Sequence, residues 1–243
     1  MADKTNSEII LYDLACEKNE CFSPVVWRIR LILNYKRIPY ETVFVEFPDI
    51  ERTLQSFSIP PHEGGKHKYT VPAIKHVPSD TYIMDSSSIA AFLETTYPEP
   101  AIVPASSGPA QEIAARTRAS IGKASHASIV PRESKILSPR SQDYFRRTRE
   151  EALNQPLENL LLKEEKHWEA VKGELQAISD LILATKDDGP FLLGSQPSGT
   201  DLFIAGALES TRVIDEGIFE RVARYPGYRA IYDAMLPFMD KRD

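Results

Sequence analysis

Only two of the 243 residues are cysteine, Cys16 and Cys21. Two thiols are too few for a disulfide framework, and they fit a reducing compartment. They lie close together near the start of the chain, with no His or Cys array around them at metal-ligand spacing. Long apolar runs are also missing. None approaches the roughly 20 residues needed to span a bilayer. The opening from Met1 to Glu8 is polar and lacks the apolar core of a signal peptide. Excess positive charge is absent too. A net charge of −6 weighs against a surface built for nucleic acid or an anionic membrane. The densest basic run, Arg146-Arg147-Thr148-Arg149, is followed at once by Glu150 and Glu151. Pairing along a helix surface is its expected role. No internal repeat or low-complexity tract is present. A cytoplasmic protein is expected.

Apolar residues make up 42% of the chain and charged residues 26%, as in ordinary globular proteins. The length allows two small domains or one large one. Ile9 to Leu14 is a short apolar run, consistent with a buried strand. Ser23-Pro24 opens a helix, because Ser favours the N-cap and Pro the first helical position. Val26, Ile29 and Leu33 recur there at helical spacing, and the helix should end near Lys36, before Pro39. Tyr40 to Phe47 alternates and is rich in β-formers. The order strand, helix, strand predicts a βαβ unit with a parallel pair.

Residues 49–57 suit a short helix, and Pro60-Pro61 and Gly64-Gly65 mark an irregular loop. The strand-like run Tyr69 to Ile74 contains Pro72, which argues for an edge position, a bulge or a cis bond. Tyr82-Ile83-Met84 is another strand, and Asp85-Ser86 starts a helix carrying Ile89, Phe92 and Leu93 on one face. After Pro98 the composition shifts to Pro, Ala and Ser, and no convincing strand pattern follows. Trp168, Val171, Leu175, Ile178 and Ile182 make a helical stripe, and Ser198 and Asp201 form a capping box. The expected organisation is an α/β domain over residues 1–98, a linker over 99–109 and an all-helical domain over 110–243.

Three places carry candidate chemistry. Ser23 puts a hydroxyl at a helix N-terminus, where free amides and the helix dipole favour an anion. A thiol bound there would be more acidic. Ser23 as a plain cap, or Cys21 as a rival nucleophile, are the alternatives. Val71-Pro72 can turn backbone groups toward a pocket, where a peptide could pair like an added strand, or it is an ordinary edge-strand proline. Ser86 offers a hydroxyl and an amide for a carboxylate, and Asp85 an acceptor for an ammonium group, unless both merely cap their helix.

The order strand, Ser-Pro helix, strand, Val-Pro, strand, Asp-Ser helix resembles the thioredoxin-like domain of cytosolic glutathione transferases. The helical part with Ser198-x-x-Asp201 resembles their second domain. Leu11-Tyr12-Asp13-Leu14 and the string from Phe22 to Arg30 look like the bacterial β-aryl etherase group and its fungal relatives. Asn34-Tyr35-Lys36, Val45 to Ile50 and Phe145 to Glu151 look like the fungal FuA branch. The resemblance runs from about Ile9 to Pro237. It implies a thioredoxin-like domain followed by a helical bundle, with glutathione as co-substrate or catalytic cofactor.

By that resemblance Ser23 would hydrogen-bond the glutathione sulfur. Val71 would pair with the cysteinyl backbone, Pro72 would be cis, and Asp85 and Ser86 would hold the γ-glutamyl end. Many members carry Glu or Gln where this chain has Asp85; the shorter side chain keeps the acceptor. A basic residue of the 62–68 loop would meet the glycine carboxylate. Lys66, His67 and Lys68 are the candidates, and Lys68 is carried forward. His126 and His167 suit surface or core-edge roles. The second substrate would be a hydrophobic small molecule between the domains, against Phe22 and the helix around Ile113 to Ile129. A homodimer is implied. The resemblance leaves open conjugation, ether cleavage, glutathione-assisted isomerisation in a biosynthetic pathway, and non-catalytic carriage of hydrophobic ligands.

Overall fold

The structure is a computed structural model that describes residues 7–63, 67–104, 108–186 and 189–242. Strand β1 (Ile9–Leu14), helix α1 (Pro24–Lys36) and strand β2 (Tyr40–Val45) form the expected unit, with β1 and β2 parallel from Ile9↔Tyr40 to Leu14↔Val45. A short helix α2 (Ile50–Ser56) follows, then the antiparallel pair β3 (Ala73–His76) and β4 (Thr81–Met84), then α3 (Ser86–Thr96). The four strands lie in the order β2-β1-β3-β4.

Helices cover both faces of this sheet, which is why β1 reads as a continuous apolar run. On one face Ile9, Leu11 and Ile74 pack with Ile29 and Leu33 of α1 and Ile89 and Leu93 of α3. On the other, Tyr12, Ala73 and Met84 pack with Leu54 of α2. Pro72 is not at a sheet edge. It precedes β3, an inner strand, and the Val71–Pro72 bond is cis. The ladder begins at Ala73, so the missing proline N–H costs no strand pairing.

The rest is helical: α4 (Gly108–Glu133), α5 (Pro139–Leu153), α6 (Glu164–Thr185), α7 (Gly199–Ile214), α8 (Glu216–Ala223) and α9 (Pro226–Met235). Ser198 Oγ accepts from the Asp201 amide at 3.4 Å, and Asp201 Oδ2 accepts from the Ser198 amide at 2.8 Å. This reciprocal cap fixes the start of α7, the helix that packs on α1. Their approach is close: a Cβ on Gly206 would stand 3.2 Å from Trp27 Cβ and 3.3 Å from the Arg28 amide. One apolar core therefore runs from the sheet through Trp27 and Ile29 into Leu202, Ala205 and the α6 stripe. Burying each such Leu or Ile side chain contributes about 1.5–3 kcal/mol.

A fully buried ion pair joins β1 to α1. Arg30 donates to Asp13 Oδ2 from Nη2 at 3.0 Å and from Nε at 3.2 Å, and Nη2 also reaches Thr42 Oγ1 on β2 at 3.0 Å. Among the described residues no helix is long and apolar enough to cross a membrane.

Candidate active site

Strand register decides where the candidate residues go. Tyr12 pairs with Ala73, and Ala73 with Met84. The end of β1, the start of β3 and the end of β4 therefore share one end of the sheet. The segments bearing Ser23, Val71-Pro72 and Asp85-Ser86 all leave the sheet there.

Ser23 is 5% exposed and is the N-cap of α1. Its Oγ accepts from the Val26 amide at 3.4 Å. A hydroxyl has one hydrogen to give and two lone pairs. The Val26 contact uses a lone pair and leaves the hydrogen available to an anion. The approach to Ser23 is pinned from two helices: Trp27 Nε1 donates to the Cys21 carbonyl at 2.8 Å, and Ser210 Oγ to the Phe22 carbonyl at 2.5 Å. Ser23 opens on a cavity of about 320 Å³ whose apolar walls include Leu14, Phe22, Ile121, Ile129 and Ile214. Phe22 and the middle of α4 are thus walls, as the sequence suggests. Ile113 is fully buried in the core instead. His126 is exposed and borders the cavity, as do Ser210, Thr211 and Glu133.

Cys21 is fully buried. Burial, with the Asp13 carboxylate beside it, pushes its thiol well above the usual range. A thiol held protonated is a poor nucleophile. It does not line the cavity that Ser23 faces.

Val71 lines a second cavity of about 570 Å³ with Phe47, His67, Lys68, Tyr144 and Arg149. Among the described residues neither its amide nor its carbonyl has a hydrogen-bond partner. Lys68 is exposed. Its carbonyl accepts from the His62 amide at 2.9 Å. Lys66 lies outside the described residues. Pro72 is buried and lines neither cavity. Val71 also packs against the apolar cluster that holds Leu14, Phe22 and Phe145, so the two cavities share a wall region.

Asp85 is the N-cap of α3. Its Oδ1 accepts from the Ser87 amide at 2.9 Å and the Ser88 amide at 3.1 Å. Capping is therefore one use of this carboxylate. Ser86 is half-buried, and among the described residues its amide and hydroxyl have no hydrogen-bond partner. Asp85 lines a separate shallow cavity with His62 and Tyr82. The fold thus brings the candidates to one end of the sheet but places Ser23, Val71 and Asp85 on three different hollows.

Three residues are not signalled by the sequence. Arg146 pairs with Glu150 one turn on, as the charge pattern predicts, and also with Glu158 beyond the helix, each at 2.8 Å. Arg149 of the same run turns to the Val71 cavity, and Tyr144 accompanies it. Arg28 is half-buried, and among the described residues its Nε has no hydrogen-bond partner. Burial and the neighbouring Arg118 lower its pKa, while Asp85 raises it.

The glutathione S-transferase N-terminal domain model matches residues 22–96, and the glutathione S-transferase C-terminal domain model matches residues 114–226. The chain belongs to the glutathione S-transferase family. It is 32% identical to the glutathione S-transferase-like protein ustS of Aspergillus flavus, over 91% of this chain and 86% of that protein. Its structure superposes on glutathione transferase GSTFuA3 of Phanerochaete chrysosporium with a TM-score of 0.83, at 30% identity over 97% and 98% of the two chains. A glutathione S-transferase of Ceriporiopsis subvermispora, solved in complex with glutathione, superposes with a TM-score of 0.83 at 26% identity, over 97% and 99%. The FuA-like strings in the sequence and these fungal structures point the same way. The fold is that of the glutathione S-transferases, an α/β half with a mixed sheet and a helical half.

Proposed function

We propose that this glutathione S-transferase ionises glutathione at Ser23 and directs the thiolate at an apolar electrophile in the cavity beside it. The observation that carries this reading is Ser23 itself: a capping hydroxyl with its hydrogen available, at a helix N-terminus, on the wall of an apolar cavity.

Four features of the chain suit glutathione. The amide and carbonyl of Val71, without partners among the described residues, can pair with a peptide backbone in the manner of an added strand. Ser86 presents an amide and a hydroxyl to a carboxylate at the start of α3. Asp85 spends Oδ1 on its helix and keeps Oδ2 for an ammonium group. Lys68 and Arg149 place positive charge on the Val71 cavity, where the glycine carboxylate would lie.

Glutathione supplies the nucleophile, its thiolate. Ser23 donates to the sulfur, and the first amides of α1 add their dipole, worth about 0.3–1 kcal/mol at such a site. Phe22, Ile121, Ile129 and Ile214 exclude water around the electrophile.

Conjugation, aryl ether cleavage and glutathione-assisted isomerisation are three outcomes of this one attack. The FuA-like neighbours support the group as a whole. The likeness to the glutathione S-transferase-like protein ustS supports the transferase reading and leaves the pathway open. Incubation with glutathione and a panel of halides, aryl ethers and polyenes, with mass balance of glutathione, separates consumption from recycling. Absence of glutathione binding by calorimetry would remove the reading. We also propose a cytoplasmic two-fold dimer through α3 and α4; a monomer by light scattering at micromolar concentration would count against the dimer.

A further inference from the structure

Glu133 is the last residue of α4. It lines the same cavity as Ser23, among walls that are otherwise mainly apolar. Among the described residues its carboxyl makes no hydrogen bond and no ion pair. Its sequence neighbour contrasts with it: Arg132 is held by Glu164 at 3.0 Å and Asp215 at 3.1 Å. A carboxyl that lines a substrate-sized cavity without a partner is free to exchange a proton with whatever fills that cavity.

Resting on the transferase reading above, we propose that Glu133 is the proton donor of the second-substrate cavity. It protonates the oxygen that becomes negative when the thiolate attacks. The substrate class is an apolar aryl ether or enone. In the ether, the C–S bond forms and the C–O bond breaks. The electron pair of the broken bond stays on oxygen, and the Glu133 proton moves to that oxygen to release a phenol. In the enone, the C–S bond forms at the β-carbon, the π pair moves to oxygen, and the same proton makes the enol. Ionisation of the next glutathione thiol supplies the proton that restores Glu133, so the cycle closes without another reactant.

The surroundings of Glu133 suit a donor near neutral pH. Burial holds its carboxyl at about 7, against the opposing pull of Arg149 from α5. His126 of α4 borders the same cavity. From α7 the described lining is Ala207, Ile214 and two uncharged hydroxyl residues, Ser210 and Thr211. At the end of that helix the Lys18 ammonium donates to the Val213 carbonyl. Arg132 is spent on Glu164 and Asp215. A carboxylic acid with a pKa near the working pH is well placed for general acid catalysis.

The test uses the whole chain and Glu133→Gln, with two readouts. The first is the free protein's infrared spectrum. A protonated carboxyl band should titrate near pH 7 in the wild type and be missing from Glu133→Gln. The second compares substrates that share one electrophilic carbon but lose either chloride or a phenoxide. Chloride leaves without a proton. Glu133→Gln should therefore lose about 10²–10⁴-fold more on the ethers than on the chloride, and the excess should grow with the pKa of the phenol. An equal loss on both substrates, no loss on either, or a carboxyl band unchanged in Glu133→Gln would overturn the assignment. A thermal melt of Glu133→Gln beside the wild type guards against misfolding. A wild type that neither binds glutathione nor turns over the chloride would sink the transferase reading beneath it, a different failure.

Discussion

Cys21 and Ser23, two residues apart, are joined by a hydrogen bond in which Cys21 Sγ donates to the Ser23 carbonyl at 3.7 Å. One faces the interior and the other faces a cavity. Burial keeps the thiol protonated, whereas Ser23 holds the cap and a free hydrogen.

Ser23→Ala should therefore raise the pKa of bound glutathione and slow thiolate-dependent turnover. Loss of a hydrogen bond to a charged group is worth about 1.5–3 kcal/mol, or about one to two pKa units. Loss of the cap should also cost about 1 kcal/mol of stability. Cys21→Ser should leave turnover in place. Thiolate absorbance of the complex and a pH–rate profile compare the two. If Cys21→Ser abolishes activity and Ser23→Ala keeps it, a cysteine mechanism must replace this one.

Ser86→Ala should weaken glutathione binding. The residue starts α3, and its amide and hydroxyl have no partner among the described residues. Removing the hydroxyl forfeits one charge-assisted hydrogen bond, about 1.5–3 kcal/mol, and so raises Kd about 10- to 150-fold. Calorimetry measures this directly. An unchanged Kd would place the γ-glutamyl carboxylate elsewhere, with the half-buried Arg28 beside Asp85 as the next residue to examine.

Much of this site is legible in the sequence because caps and strands are local. Ser23-Pro24, Asp85-Ser86 and Ser198-x-x-Asp201 announce helix starts through side chains that reach amides two or three residues on. Pro72 is half legible. The sequence leaves edge, bulge and cis bond open, and only the pairing of β3 with both β1 and β4 excludes the edge. Arg149 and Glu133 are not legible at all. One sits in a basic run that looks uniformly surface-paired, the other beside an arginine in an ordinary charged stretch. What singles them out is which side of α5 or α4 meets the end of the sheet, and that is decided by contacts from β1 and α7, far away in the chain.

The buried Asp13–Arg30 pair should matter more for stability than for chemistry. Arg30→Met leaves the Asp13 carboxylate alone in the interior. Breaking a buried pair this way costs about 3–5 kcal/mol, and each kcal/mol lowers Tm by about 2–4 °C in a chain of this size. The double variant Asp13→Leu with Arg30→Met should recover much of the loss, because no unpaired charge remains. Thermal melts of the three proteins check this. A double variant no better than Arg30→Met would mean that the links of Arg30 to Thr42 and Tyr40 carry the effect.

Glu133 should leave a signature in the pH dependence of stability even without substrate. Burial raises its carboxyl from the ordinary 4.5 to about 7 in the folded protein. Between those values the folded state holds a proton that the unfolded chain has released. Stability then falls as pH rises, since its slope follows protons bound unfolded minus folded. Below the unfolded value both states are protonated and the residue is neutral to folding. Above about 7 both are ionised, and the full penalty of holding this half-buried carboxylate away from water is present. Glu133→Gln carries no such charge. Its stability relative to the wild type should therefore climb from pH 4.5 to 7 and level off above. Denaturant unfolding at a series of pH values measures the difference. A flat difference across that window would mean that Glu133 ionises as a solvated carboxylate, and the proton-donor role would lose its physical basis.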